Sequence, residues 1–345
     1  MKDLPALDAL LAVARVVAIP TRTRFRGISV REAVIFDWPG GAAEFSPFPE
    51  YADEEAATWL AAAIAFGGAG TGAGTREGDG AAQPPILRDR IAINATVPAV
   101  SVDAVAGVLQ RFPGCRTAKV KVAEPGQALA DDVARVRAVR AEMGDEARIR
   151  IDANGGWSVE EAVVALRALA PLGLEYVEQP CASVVELAEL RDRIGGTSHA
   201  TRIAADESVR KAADPLAVAR AGAADLLVVK AQPLGGVTRA LQIVHEAGLP
   251  VVVSSALDTS VGIAMGLHLA AALPEGSLAG ACGLGTVALL AGDVTRDSLL
   301  PVDGEIRVQR PALDHDLLDH YAASPERAAW WRERITRCHS ILTAE

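Results

Sequence analysis

Arg148-Ile149-Arg150-Ile151-Asp152 alternates in the manner of a strand and stops on an acid, and four other short apolar runs in the chain stop on a charge in the same way. Ala118-Lys119-Val120-Lys121 precedes it; Glu175-Tyr176-Val177-Glu178, Ile203-Ala204-Ala205-Asp206 and Leu226-Leu227-Val228-Val229-Lys230 follow. The terminal residues read Lys, Asp, Glu, Asp, Lys and are 31, 26, 28 and 24 positions apart, about one βα unit each. Consecutive parallel strands would deliver all five to one end of a barrel, the end at which such barrels carry their chemistry. Three carboxylates from neighbouring strands would there meet a hard divalent cation, with two lysines facing each other across it.

Working outward, strand and helix alternate from Arg90. Strands are expected near 91–96, 117–122, 148–152, 174–178, 202–206, 226–230, 250–254 and 280–288. Ser158-Val159-Glu160-Glu161 is a capping box opening a helix, and Gly173 lets the chain turn into the next strand. Further helices are expected over Val184 to Arg193, Pro215 to Ala221, Val237 to Ala247 and Ser260 to Ala272. A parallel sheet closed into a barrel is the economical reading; a doubly wound open sheet is the alternative. Ahead of it, Val16 to Glu44 is strand-like and Asp53 to Phe66 helical, a small α+β domain that ends in a mobile Gly/Thr/Pro connector, Gly67 to Pro85. Leu300 to Val308 reads as a turn and a strand returning to that domain, and a last helix starts at Ser324-Pro325 with Trp330 and Trp331 as packing residues. The expected division is thus 1–88, completed by 300–345, and 89–299.

Half of the 345 residues are hydrophobic, enough for a large core. A net charge of −10 with scattered basic residues argues against nucleic acid as a partner. Cys115, Cys181, Cys282 and Cys338 form no CxxC pair, which fits a reducing cytoplasm. Asp3, Asp8 and Arg15 interrupt the N-terminal apolar run, so a signal peptide is not expected, and Ala56 to Thr75 is too weakly hydrophobic for a membrane span. The same glycines lack the Gly-Lys-Ser/Thr of a phosphate loop, and Asp152-Ala153-Asn154-Gly155 places its glycine too early for a calcium loop. The expected partner is a small-molecule carboxylate; nothing in the sequence specifies an oligomeric state.

Strand parity puts Lys119 and Lys121 on one face, and Arg150 with Asp152 on the corresponding face, while Val120 and Val122 suit the helix layer. Any one acid or lysine alone reads best as an ion pair or a helix cap. Repetition on five strands, with buried charge this expensive, does not. Asp152, Glu178 and Asp206 offer only oxygen, which favours magnesium over zinc. Lys121, beside Lys119 and a cation, should have a lowered pKa and serve as a base, and Lys230 is a second acid/base or a fixed cation.

These residues resemble the enolase superfamily, in particular its muconate-lactonizing subgroup: Lys119-Val120-Lys121, Asp152-Ala153-Asn154, Glu178-Gln179-Pro180, Asp206-Glu207-Ser208 and Lys230 stand as that subgroup's motifs. Within it, Arg22 to Gly27, Gly40 to Pro49, Asn94 to Pro98 and Pro250 to Ser255 resemble the actinobacterial o-succinylbenzoate synthase family. The resemblance implies an α/β fold, a (β/α)7β barrel with an α+β capping domain, and magnesium on Asp152, Glu178 and Asp206. It implies a lyase of menaquinone biosynthesis that dehydrates 2-succinyl-6-hydroxy-2,4-cyclohexadiene-1-carboxylate, with Lys121 as base, Lys119 assisting and Lys230 against the opposite face of the ring. Arg150 and Asn154 would orient the site; Phe25, Arg26, Gly27, Ser46 and Phe48 would close over the substrate, and Ser254, Ser255 and Gly283 would line the mouth. The alternative is an N-succinylamino acid racemase, which uses the same set with two opposed bases. A catalytically silent metal-binding barrel would be expected to have lost a lysine, and all are present.

Overall fold

The computed structural model describes residues 4–25, 27–68, 84–210 and 214–344. The connector expected over Gly67 to Pro85 lies largely outside the described residues. Strands β1 (Ala14–Phe25), β2 (Ile28–Phe36) and β3 (Ala43–Phe45) form an antiparallel sheet in that order. Their β-branched and aromatic residues Val17, Ile19, Val34, Ile35, Phe36 and Phe45 are buried, and the helix Asp53–Gly68 packs across β3. The three-stranded sheet of the cap is antiparallel.

Strand β4 (Arg90–Ala92) is followed by seven parallel strands: β5 (Ala95–Val97), β6 (Thr117–Lys121), β7 (Arg148–Asp152), β8 (Leu174–Glu178), β9 (Ile203–Ala205), β10 (Leu226–Val229) and β11 (Val251–Val253). Intervening helices cover the sheet from outside. Ser158 accepts from Glu161 N at 3.3 Å while Glu161 accepts from Ser158 N at 2.8 Å, and Ser183 and Glu186 make a second such box at the start of Val184–Ile194. Gly173 sits at φ 66°, the left-handed turn that hands the chain to β8. Among the described residues no helix is long and apolar enough to cross a membrane.

Four details depart from the sequence reading. The strand expected over 91–96 is two elements: Arg90–Ala92 pairs antiparallel with β12 (Glu305–Arg307), and the chain then changes partner, Ile93 N bonding Gly304 O and Asn94 N bonding Cys282 O. The returning strand therefore meets β4 and not the N-terminal sheet; the last helix, Pro325–Ala344, makes that journey, packing on Asp53–Gly68 and β1. The eighth barrel strand expected over 280–288 is reduced to the single bridges Ile93↔Cys282 and Ser254↔Gly283 and a 3-10 turn, Thr286–Leu289. A Cβ on Gly283 would lie 2.6 Å from Ser254 Oγ, so closure depends on a bare backbone at that point. Finally, the helix expected over Pro215 to Ala221 shrinks to Ala217–Arg220.

Candidate active site

Register decides the site. β6 pairs with β7 so that Lys121 stands beside Asp152, and β7 with β8 so that Asp152 stands beside Glu178. Asp206 and Lys230 follow the last residues of β9 and β10, which pair with each other. All six charged groups, Lys119 included, are less than a tenth exposed. Lys119 Nζ donates to Asp152 Oδ2 at 3.0 Å and to Glu178 Oε1 at 2.8 Å; Lys121 Nζ donates to Asp152 Oδ2 and to Asn154 Oδ1, both at 2.6 Å. Lys230 Nζ donates to Asp206 Oδ1.

Burial alone would discharge Lys119, but the charges of Asp152 and Glu178 outweigh it and hold the ammonium well above the usual lysine range. Against the same opposing burial, Lys119 and Lys121 hold Asp152 well below the usual carboxylate range. Glu178 goes the other way, up to about 8, because burial and the charge of Asp152 exceed what Lys119 returns. Positive charge is short at the middle acid.

The backbone leaves the strands under constraint. Asn154 and Gln179 stand at φ 48° and 38°, left-handed values uncommon for residues with a Cβ. Gln179, fully buried, is held there by its amide: Oε1 accepts from Asp206 N at 3.0 Å and Ser208 N at 3.2 Å, and Nε2 donates to Ser208 Oγ and Cys181 O. It therefore fixes the β8 exit, with Glu178, to the β9 exit, with Asp206. The sequence supplied Gln179 as part of a motif but no role for it.

An open cleft of about 480 Å³ lies over these groups and takes in Lys119, Lys121, Asp152, Asn154, Asp206 and Lys230. Of the expected substrate residues, Phe25, Phe48, Ser254, Ser255 and Gly283 line it, and the Phe25 ring centroid is 5.6 Å from Lys121 Nζ. Ser46 is buried against Glu44 behind the wall, Gly27 lies on the exposed turn between β1 and β2, and Arg26 is outside the described residues. Arg150 does point into the barrel, but one layer below: it stacks on Tyr176 at 4.8 Å, pairs with Glu175 and donates to Ala281 O at 2.6 Å, away from the cleft lining. Parity gives a side chain's face and not its height. Tyr51, Trp59, Ala256 and Thr286, and Thr96 on β5, also line the cleft; none was singled out as a site residue in the sequence, since neutral residues carry no charge signal.

Among the described residues no three His, Cys, Asp or Glu side chains stand ready as a metal cluster, because lysine ammonium groups sit among the carboxylates. Asp152, Glu178 and Asp206 nevertheless fit a hard divalent cation: the donors are all oxygen and all buried, and burial together with the charge of Asp152 raises the central carboxyl, which a cation would relieve.

Comparison with known proteins gives a consistent answer. The family described as enolase C-terminal domain-like matches residues 103–312, and enolase N-terminal domain-like matches residues 16–67. The chain is 53% identical over 340 residues to the o-succinylbenzoate synthase of Mycobacterium tuberculosis H37Rv, covering 98% of this chain and 97% of that one. It is 53% identical over 339 residues to that of Mycolicibacterium smegmatis, covering 98% of each. Among solved structures, 2-chloromuconate cycloisomerase from Rhodococcus opacus 1CP superposes with a TM-score of 0.72 at 24% identity, covering 90% of this chain and 98% of that one, a likeness of fold. With the strand-end acids and lysines in place and relatives this similar along nearly the whole length, the chain belongs to the enolase superfamily and, within it, to the o-succinylbenzoate synthase family.

Proposed function

We propose that this protein dehydrates 2-succinyl-6-hydroxy-2,4-cyclohexadiene-1-carboxylate to 2-succinylbenzoate, the step its family name describes, in menaquinone biosynthesis. The observation that carries the reading is that Lys121 and Lys230, four barrel strands apart, line one cleft together with Asp152 and Asp206. The relatives at 53% identity support it. The boundaries near 88 and 300 are proposed with it, the cap enclosing what the barrel transforms.

Asp152, Glu178 and Asp206 would hold Mg²⁺, which when bound supplies positive charge beside the substrate carboxylate as the adjacent carbon becomes anionic. Lys121 removes the proton from that carbon and returns a proton to the departing hydroxyl on the same face, so one water leaves and the ring becomes aromatic. Lys119, kept protonated by Asp152 and Glu178, offsets the charge that accumulates on the carboxylate. Lys230 stands on the other side of the cleft as a cation against the delocalised ring anion. Phe25 and Phe48 cover the site and limit the access of water.

Opposed lysines are also what an N-succinylamino acid racemase needs, and this placement keeps that second activity in view. Supplying the cyclohexadiene acid and N-succinylamino acids separately, with magnesium, decides the order. The expected result is a higher kcat/KM for dehydration; turnover of N-succinylamino acids alone would overturn the proposal.

A further inference from the structure

Behind the cleft wall, two charged residues of the cap are buried against the barrel. Glu44 on β3 and Arg31 on β2 are 0% and 1% exposed. Glu44 Oε2 accepts from Thr259 N and Gly262 N, each at 3.1 Å, and from the Thr259 hydroxyl, three donors at the start of the helix Ser260–Ala272; Oε1 accepts from Ser46 Oγ at 2.6 Å. Arg31 donates through Nε to Leu257 O at 3.1 Å and through Nη2 to Ser46 O, and its guanidinium lies 4.5 Å from the Phe48 ring centroid.

Each residue thus touches both neutral walls of the cleft. On the cap side is the segment 46–51, which supplies Phe48 and Tyr51; on the barrel side is 254–262, whose first residues supply Ser254, Ser255 and Ala256. The junction is close-fitting: a Cβ on Gly262 would lie 2.9 Å from Glu44 Oε2, so the glycine is what admits the carboxylate to the helix end. A helix N-terminus welcomes an anion, yet a second acid, Asp258, stands 3.9 Å from the same Arg31. Burial, then the charge of Asp258, pushes Glu44 up to about 7. A joint made only for strength would be served as well by apolar packing; directional bonds to both walls fix their separation.

We propose that Arg31 and Glu44 are positioning residues for substrate binding, holding the two neutral walls of the cleft at one spacing without touching the substrate. The proposal rests on the dehydration reading for its kinetic test. Glu44→Gln keeps the shape without the charge, its one oxygen accepting the helix-start bonds while its amide NH2 can only donate toward Ser46 Oγ; Glu44→Ala leaves the helix-start donors unmet. KM for the cyclohexadiene acid should rise roughly threefold in the first and about tenfold or more in the second, with kcat within about twofold of wild type in both. Arg31→Lys, which keeps the charge but loses the planar fork, should behave like Glu44→Gln. Magnesium affinity should not move, and hydrogen exchange of the amides in 46–51 and 257–262 should quicken in the order of the KM changes. A lowered melting temperature with unchanged KM and unchanged exchange would make the joint merely structural and overturn the proposal, as would a kcat loss without a KM change. Should Glu44→Ala fail to fold, Glu44→Gln and Arg31→Lys carry the same comparison. Should wild type leave the cyclohexadiene acid untouched, the dehydration reading fails on its own, and exchange in Glu44→Gln equal to wild type would still overturn the positioning.

Discussion

The rim of the cleft has two halves built to different rules. Along β6 to β10 the charged groups stand at the ends of paired parallel strands, or two residues before the end at Lys119, and every charge has a counter-charge within hydrogen-bonding distance. Where β11 and β5 meet through the segment 282–286, the lining is Thr96, Ser254, Ser255, Gly283 and Thr286, and the closure is made by single bridges and by the Ser255 and Thr286 hydroxyls, which bond each other. The difference follows from what each half must withstand. Charges in a water-poor interior interact strongly and must be held still, whereas neutral hydroxyls can be placed by a few contacts and can set shape. One half governs the chemical step and the other the fit.

The largest test of that contrast is Lys121→Ala, which should lower kcat about 10³- to 10⁴-fold, as expected for removal of a general base, while Lys230→Arg keeps measurable dehydration because the cation remains. Steady-state rates on the cyclohexadiene acid check it; wild-type turnover by Lys121→Ala would remove Lys121 as base. Next comes Gln179→Leu, which takes away the amide that ties Glu178 to Asp206 and should weaken magnesium binding roughly 10- to 100-fold, read by calorimetric titration. If affinity is unchanged, the charged half does not depend on its supporting bonds and the contrast loses its physical basis. The smallest effect is expected at Ser255, whose hydroxyl donates to Gly283 O at 2.6 Å and meets Thr286 Oγ1 at 2.8 Å. Ser255→Ala should raise KM a few-fold and cost about 1 kcal/mol of stability, with kcat nearly unchanged. A kcat loss on the scale of a lysine variant would dissolve the distinction between the halves.

The charged half was legible in the sequence and the neutral half only in outline, for the same reason. Acids and lysines at the ends of apolar runs break a pattern, and their spacing repeats with the βα unit, so Asp152, Glu178, Asp206 and the lysines announce themselves. Gln179 acts through a buried amide and a left-handed φ, neither of which has a compositional signature. Thr286 and Ser255 meet across a closure that is no longer a strand, and Gly280, Gly283 and Gly285 gave no alternation from which to see that. Trp331 read correctly as a packing residue: it is fully buried and its Nε1 donates to Glu32. Its destination, across the cap sheet, depends on contacts some 300 positions away along the chain, the kind of information periodicity does not hold.

That long return has a consequence for how the enzyme comes into being. Arg334, on the helix Pro325–Ala344, donates to the carbonyl oxygens of Phe48 and Pro49 at 3.2 Å and to that of Tyr51, fastening from behind the segment that walls the cleft. A chain emerging from the ribosome makes residues 46–51 before the barrel strands and Arg334 after them. The acids and lysines can therefore be assembled on a folded barrel while the wall above them is still without its final fastening. Translation order leaves that wall without its fastening until the helix Pro325–Ala344 docks, and substrate binding should appear only after that helix has left the exit tunnel.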